Sequence, residues 1–366
     1  MIWAGVLVLY LHALRMVVAL VNLIARPRRV KRTVGSGPLV SVLIPARNEE
    51  KNIGKLLDSL LAQKYQPVEI IVYNDSSTDG TGAIVQQYAA NSNIIRCLDG
   101  VELPEQWLGK NHACHRLAER AAGEYLLFID ADVVAKSDLI GSAVARMEEK
   151  RLSLLSIFPH QIMVTRGEKV VVPVMNWILL SLLPMVLVRS CRWSSFSAAN
   201  GQFMMFRSSV YKRYRFHEMV KLNLTEDIVI ARIMKRNRLK IETLVSQGEV
   251  SCRMYEGYAD AVNGFAKNVI TMFGDSYFFI SFFVLLSLLG WIAVGLGLGL
   301  WGLAAYAFMA VILNISVAAT GRQNIGASLL FFPERMLAFC TIVVKAFTIK
   351  YRKNYTWKDR TIENIE

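Results

Sequence analysis

Two hydrophobic rhythms share this chain. Residues 1–25, MIWAGVLVLYLHALRMVVALVNLIA, are apolar apart mainly from His12, Arg15 and Asn22. One helix of that length spans a bilayer. From about residue 38 to 160 the pattern changes to short apolar runs separated by helical periods. PLVSVLIPA, VEIIVYND, NIIRCL and YLLFID read as strands, with helices near 49–63, 80–90 and 110–122. That alternation predicts βαβ units and a parallel sheet with right-handed crossovers. Long apolar runs then return. Residues 169–188 are hydrophobic but interrupted by Pro173 and Pro184, which suits an interfacial helix or hairpin. Residues 277–319 are long enough for two spans with a turn in the glycine-rich part near Gly297 to Gly302. A last run, 329–349, contains Glu334, Arg335 and Lys345 and reads as an amphipathic helix in the membrane interface.

Composition points the same way. Of 366 residues 54% are hydrophobic, and the mean hydropathy of +0.34 is high for a soluble protein. The first run lacks the basic start and small-residue cleavage site of a signal peptide. The net charge of +13 crowds beside apolar segments, in RPRRVKR at 26–32 and KYRKNYTWKDR at 350–360. Such flanks read as positive-inside signals, which puts the N-terminus out and residue 26 onward in the cytoplasm. They also suit attraction to anionic headgroups or an anionic substrate. No nucleic-acid module accompanies the charge, so nucleic acid is not an expected partner. Five scattered cysteines, without a CxxC, fit a reducing compartment and give no zinc-ligand spacing.

In an open α/β sheet, ligands bind beyond the carboxyl ends of the strands. Three polar clusters fall there: ARNEE at 46–50, NDSSTDGT with Asp75, and Asp130-Ala131-Asp132. Asp-x-Asp suits a hard divalent cation that offsets charge growing on a diphosphate leaving group. A lone Asp-x-Asp is common, and the plainer reading is that one aspartate simply caps a following helix. Asp75 is placed to contact a nucleobase or ribose, or is simply a loop former. Arg47 and Glu49 fit a charged first helical turn. Lys110, in WLGKNHACH, suits a phosphate or the surface. His112 and His115 lack further ligands and read as structural. Glu226 and Asp227 open an amphipathic helix in LNLTEDIVIARIMKR. They serve either as dipole-favoured acids behind a Thr225 cap or as the source of a general base.

Together these stretches resemble a known family. SVLIPARNEEKNIGKLLDSL, VYNDSSTDGT, GEYLLFIDADV and TEDIVIARIMKR occur in the order seen in family 2 glycosyltransferases. WLGKNHACH, AANGQFMMFR at 198–207 and CRMYEGYADAVNGFAKNV at 252–269 resemble its membrane subgroup of hopene-associated and diaponeurosporenoate-type enzymes. The resemblance spans roughly residues 38–275 plus the flanking segments. It implies an α/β fold of GT-A type, Rossmann-like with a mostly parallel sheet, carrying N-terminal and C-terminal membrane helices. The implied map is a transmembrane helix at 1–25 and a GT-A domain at 38–275, with an interfacial helix at 169–190. Two transmembrane helices follow at 276–320, then an amphipathic or membrane helix and basic tail at 329–366.

By the same resemblance Pro45, Ala46, Arg47 and Glu49 line the nucleotide, and Asp75 contacts its base or ribose. Lys110 lies near the phosphates, Asp130 touches ribose or sugar, and Asp132, with Asp130, holds a divalent cation, Mg²⁺ or Mn²⁺. Asp227 is the catalytic base with Glu226 in support, and Gly201 and Gln202 border the sugar and acceptor pocket. Processive members carry a Q/RxxRW motif after the acid pair. Here RSCRW, Arg189 to Trp193, precedes it, and the expected place holds NGFAKNV, where Lys267 is the candidate for the diphosphate. Asp132 and Asp227 must share one site, so 169–188 is not a single crossing. The resulting expectation is inverting transfer of one sugar from a nucleotide diphosphate sugar, UDP-linked, to a membrane lipid or isoprenoid-derived acceptor. The enzyme would be multi-pass in the inner membrane with its catalytic domain in the cytoplasm. A processive polysaccharide synthase, a nucleotidyltransferase on a similar scaffold and a non-enzymatic membrane scaffold are the rivals.

Overall fold

A computed structural model describes residues 1–25 and 33–352, with the backbone of 354–357 and 360–363. The basic run 26–32 and the tail side chains beyond 352 lie outside the described residues. In chain order the elements are α1 (Ile2–Ile24), β1 (Ser36–Ala46), α2 (Ile53–Leu61), β2 (Gln66–Asn74), α3 (Thr81–Asn91), β3 (Ile95–Asp99), α4 (Gly109–Arg120), β4 (Tyr125–Ile129), β5 (Val133–Ala135), α5 (Leu139–Lys150), β6 (Leu154–Phe158) and β7 (His160–Gln161). There follow α6 (Arg166–Val171), α7 (Pro173–Leu182), α8 (Met185–Ser190), β8 (Phe203–Arg207), α9 (Ser208–Tyr214), α10 (Phe216–Met219), α11 (Glu226–Arg236), β9 (Ile241–Val245), β10 (Val250–Cys252), α12 (Tyr258–Ala266), α13 (Val269–Met272), α14 (Tyr277–Thr320), α15 (Ile325–Leu330), α16 (Phe332–Arg352), β11 (Asn354–Trp357) and β12 (Arg360–Glu363). They form two compact units. One takes Pro27–His160, Val188–Arg253 and Lys353–Glu366, the other Met1–Arg26, Gln161–Leu187 and Met254–Arg352.

The first unit is built on a seven-stranded sheet of order β3-β2-β1-β4-β8-β6-β9. β1 is parallel to β2 and β4, β2 to β3, and β6 to β9. β8 alone runs antiparallel to both its neighbours. The central strands are apolar on both faces because helices cover both. Val42, Leu43 and Ile44 of β1, Ile70 and Ile71 of β2, and Leu126 and Leu127 of β4 are fully buried. Each contributes about 1.5–3 kcal/mol of burial. α2 adds Ile53, Leu56, Leu57 and Leu60, an i, i+3, i+4, i+7 stripe. Parallel register places Ala46 beside Asn74 and Leu43 beside Phe128. The carboxyl ends of β1, β2 and β4 therefore open on one edge, and their polar clusters gather there.

The second unit is helical and reverses the usual distribution of polarity. α1 turns His12, Arg15 and Asn22 inward and leaves Leu7, Leu14 and Val17 exposed. A water-soluble helix does the opposite. α1 and α14 are each long and apolar enough to cross a membrane. α14 is broken at Gly299, whose φ of 65° and ψ of −157° interrupt the helix inside the glycine-rich stretch. α1 and α14 approach closely at small residues: a Cβ on Gly5 would stand 2.9 Å from the Ala293 carbonyl oxygen, and one on Gly290 2.9 Å from Val8.

Residues 169–188 form short helices rather than one long one. Pro173 begins α7 and Pro184 separates it from α8. The broken backbone between them is satisfied by α1. Asn22 donates to the Leu180 and Leu183 carbonyls at 2.9 and 2.8 Å, and accepts from the Met185 N–H at 2.7 Å. α16 buries one stripe, Arg335, Phe339, Ile342 and Ala346, and leaves Leu337 and Val344 exposed.

Candidate active site

The loop after β1 is laced to the loop after β2. Arg47 Nη1 donates to the carbonyls of Asp75 at 2.7 Å and Ser76 at 3.2 Å. The Asn48 side chain accepts from Thr78 N at 2.9 Å, while its N–H reaches Ser77 Oγ at 3.1 Å. Glu49 N donates to Thr81 Oγ1 at 2.7 Å. Asn48 and Ser76 hold left-handed backbone, φ 51° and 50°, and these bonds fix both turns. Arg47 thus braces the edge on which Pro45, Ala46 and the buried Asp75 lie.

The chain does not continue from Asp130 and Asp132 into a helix, so neither aspartate caps one: β5 follows at Val133. Asp130 instead pairs with Lys110, in the first turn of α4, at 2.9 Å. The same ammonium reaches Glu226 Oε1, at the start of α11, at 3.1 Å. Lys110 therefore ties the sheet edge to the acid pair across more than a hundred residues. Thr225 makes no capping bond to α11. Asp227 accepts from the backbone N–H groups of Gly201 at 2.9 Å and Ile228 at 2.8 Å. A Cβ on Gly201 would stand 3.1 Å from both Lys110 Nζ and Glu226 Oε1, so any larger residue there would press on the ion pair.

The antiparallel pairing of β8 with β4 sets Phe203 opposite Ile129. Gln202 is thereby brought to the aspartates. Its amide nitrogen lies 3.2 Å from Asp132 Oδ2 and 2.9 Å from Cys252 Sγ. Asn200 Oδ1 accepts from Gln202 N at 2.9 Å and shapes that turn.

Charge in the site is one-sided. Burial, then the neighbouring Asp130 and Glu49, push the Asp132 carboxyl up to about 7. Burial, then Glu226, push Asp227 up to about 6. Burial pulls the Lys110 ammonium down, but Asp130 and Glu226 outweigh it and hold it well above the ordinary lysine range. A nearly enclosed aspartate disfavoured as an anion, with the Asp130 and Glu49 carboxylates near it, fits a hard divalent cation. Among the described residues no group of three His, Cys, Asp or Glu could hold a metal alone. Ligand diphosphate and water would have to complete its shell.

Sequence reasoning missed residues that act through backbone. Asn111 donates to the carbonyls of Val220 at 2.8 Å and Asn223 at 3.0 Å, holding the approach to Glu226 against α4. His217 meets Tyr211 OH at 2.7 Å and packs on Phe128, and burial lowers it to about 3, so it is neutral. Asn111 lies within WLGKNHACH, but neither residue has a chemical signature of its own. His112 packs on Trp107 and Tyr73, and His115 lies 3.4 Å from Glu119, as structural residues do. Lys267 closes α12 in the helical unit and is not among the residues this unit brings together.

Residues 41–215 match the pattern of glycosyl transferase family 2. They are a family 2 glycosyl transferase domain. The 4,4'-diaponeurosporenoate glycosyltransferase of Staphylococcus haemolyticus strain JCSC1435 is 28% identical over 271 residues, 71% of this chain and 69% of that one. The enzyme of the same name from Staphylococcus aureus strain MRSA252 is 36% identical over 126 residues, only 34% of this chain and 32% of that one. A mannosyltransferase from Pyrobaculum calidifontis, solved with GDP-Man and Mn²⁺, superposes with a TM-score of 0.55 over 94% of this chain and 99% of its own. At 16% identity that likeness is one of fold. The expected GT-A class, with its mostly parallel sheet and apolar flanking helices, is the fold observed.

Proposed function

We propose that this glycosyltransferase moves a single sugar, with inversion, from a nucleotide diphosphate sugar to a lipid or isoprenoid-derived acceptor at the cytoplasmic face of the inner membrane. One observation carries the reading. Lys110 is held between Asp130 at the end of β4 and Glu226 of α11, next to Asp227. Groups suited to a diphosphate and to a base thus occupy one site.

The acceptor oxygen attacks the anomeric carbon on the face opposite the diphosphate. Asp227, pushed up toward neutrality, takes the acceptor proton. A single displacement inverts the anomeric centre. Lys110 offsets charge on the departing diphosphate, and Glu226 orients Lys110. Asp75 and the braced loop at Pro45 to Glu49 receive the nucleoside. Gln202 aims Asp132, and Gly201 leaves room for the sugar. Asp132, with Asp130, would hold Mg²⁺ or Mn²⁺, supplying further positive charge to the diphosphate.

The acceptor follows from the relatives, whose names specify a diaponeurosporenoate. That name denotes a carboxylate, for which the base at Asp227 matters less. The inside-out polarity of α1 supports a membrane-embedded unit. The donor is taken as UDP-linked.

Membranes containing the protein, given a panel of labelled UDP- and GDP-sugars, test this. Label in organic-extractable lipid, lost with EDTA and with Asp132→Ala, is expected. Label confined to insoluble polymer would make the chain a polysaccharide synthase, and release of pyrophosphate would make it a nucleotidyltransferase.

A further inference from the structure

The helical unit buries cationic and indole donors that lack acceptors. Arg15 is 5% exposed, Trp177 2% and Arg335 1%. The Arg15 guanidinium lies 4.3 Å from the Trp177 ring centre and 4.6 Å from that of Phe283. It donates to Ser181 Oγ at 3.1 Å, but its Nε has no partner. Arg335 gives Nη1 to Asn314 Oδ1 at 3.4 Å and Ser328 Oγ at 3.3 Å, while Nε and Nη2 have none. The Trp177 indole N–H is also without an acceptor. Among the described residues neither guanidinium pairs with a carboxylate. Glu334, beside Arg335, is taken by Arg166 at 2.7 Å.

These donors flank one aromatic cluster. Phe332 and Phe339 flank Arg335 at i−3 and i+4 on one face of α16. Their ring centres lie 6.2 and 6.3 Å from that of Trp177. Arg335 thus projects from the face that meets Trp177, and Arg15 covers the indole ring itself.

Two cations withdrawn from water with no counter-charge are strongly unfavourable, more so in a unit that presents apolar side chains outward. Ring contacts from Trp177 and Phe283 offset part of this for Arg15. An oxyanion would offset the rest and accept the free N–H groups. In an apolar unit that oxyanion would arrive as the head of an amphiphile. We propose that Arg15, Trp177 and Arg335 bind the phosphate or carboxylate head of an acidic lipid. The proposal rests on reading α1 and α14 as lipid-embedded, and not on the sugar chemistry.

Thermal melting of the full-length protein in neutral detergent tests it, with phosphatidylglycerol or oleate against phosphatidylcholine and inorganic phosphate. A rise of roughly 3 °C or more is expected with either acidic amphiphile and none with phosphatidylcholine. The rise should vanish in Arg335→Gln and Arg15→Gln. Trp177→Phe, which keeps a ring and removes one donor, should at least halve it and serves if the arginine variants do not fold. An equal rise in the variants would overturn the site. A full rise with inorganic phosphate alone would overturn its assignment to a lipid. Sugar transfer is not read, so failure here leaves the glycosyltransferase reading standing.

Discussion

Gly201 donates its backbone N–H to Asp227 Oδ2 at 2.9 Å, so the carboxylate proposed as the base is aimed by a residue with no side chain. A methyl there would press on Lys110 and Glu226 at 3.1 Å. Gly201→Ala is expected to lower kcat by about 10²-fold, as small misplacements of reacting groups do. An unchanged circular dichroism spectrum with lost turnover would locate the effect in the site. Full turnover would remove Gly201 from it.

Lys110 is the cation between Asp130 and Glu226. Lys110→Met should reduce kcat by about 10²–10³-fold, the scale of losing one electrostatic contact to a developing charge. Nucleotide binding should weaken as well, because two acids would face the diphosphate unopposed. Calorimetric titration with the nucleoside diphosphate checks the second point.

Asp227 titrates near 6, above its ordinary value of 3.8. As the base it must be ionised, so kcat/KM with a hydroxyl acceptor should fall about tenfold per pH unit below 6. Stability runs the other way. With a raised native pKa, the folded state binds more protons than the unfolded state between about 4 and 6, so this group costs stability as pH rises through that window. Asp227→Asn should therefore melt higher than wild type at pH 7 and about equally at pH 4. It should abolish transfer to a hydroxyl acceptor while sparing more of the transfer to a carboxylate.

Asp132 is pushed up to about 7 by burial and by Asp130 and Glu49. A bound divalent cation would favour its ionised form. EDTA should stop transfer, and Mg²⁺ or Mn²⁺ should restore it in wild type but not in Asp132→Ala. Restoration in that variant would move the metal elsewhere.

Asn22 supplies three hydrogen bonds to the break between α7 and α8. Asn22→Leu leaves two buried carbonyls and one N–H without this partner and should cost about 2–4 kcal/mol. Loss of the helical unit's melting transition in detergent would register it.

Much of this was legible along the chain. The strands ending at Ala46, Asn74 and Ile129 follow from apolar runs closed by polar residues. The helices at 53–61, 81–91 and 109–120 overlap those expected near 49–63, 80–90 and 110–122. Periodicity is local, so it survives whatever the rest of the chain does. β8 was not legible as an antiparallel insertion, because an apolar run such as FMMFR carries no signal of strand direction.

The order of residues by itself therefore determined the alternation of strands and helices, and that three acidic clusters would stand at one sheet edge. Only the tertiary structure decided which charges meet. Lys110 lies twenty residues before Asp130 and more than a hundred before Glu226, and the crossing of α4 over the sheet brings both acids within 3.1 Å of its ammonium. Gln202 reaches Asp132 only because β8 inserts antiparallel beside β4. Asn22 and Arg15 look like blemishes in an apolar helix until α7 and α8 present the groups they satisfy. Hydrogen bonds and ion pairs depend on ångström-scale separation, and across long sequence distances packing sets that separation, whereas hydropathy needs only the neighbours along the chain.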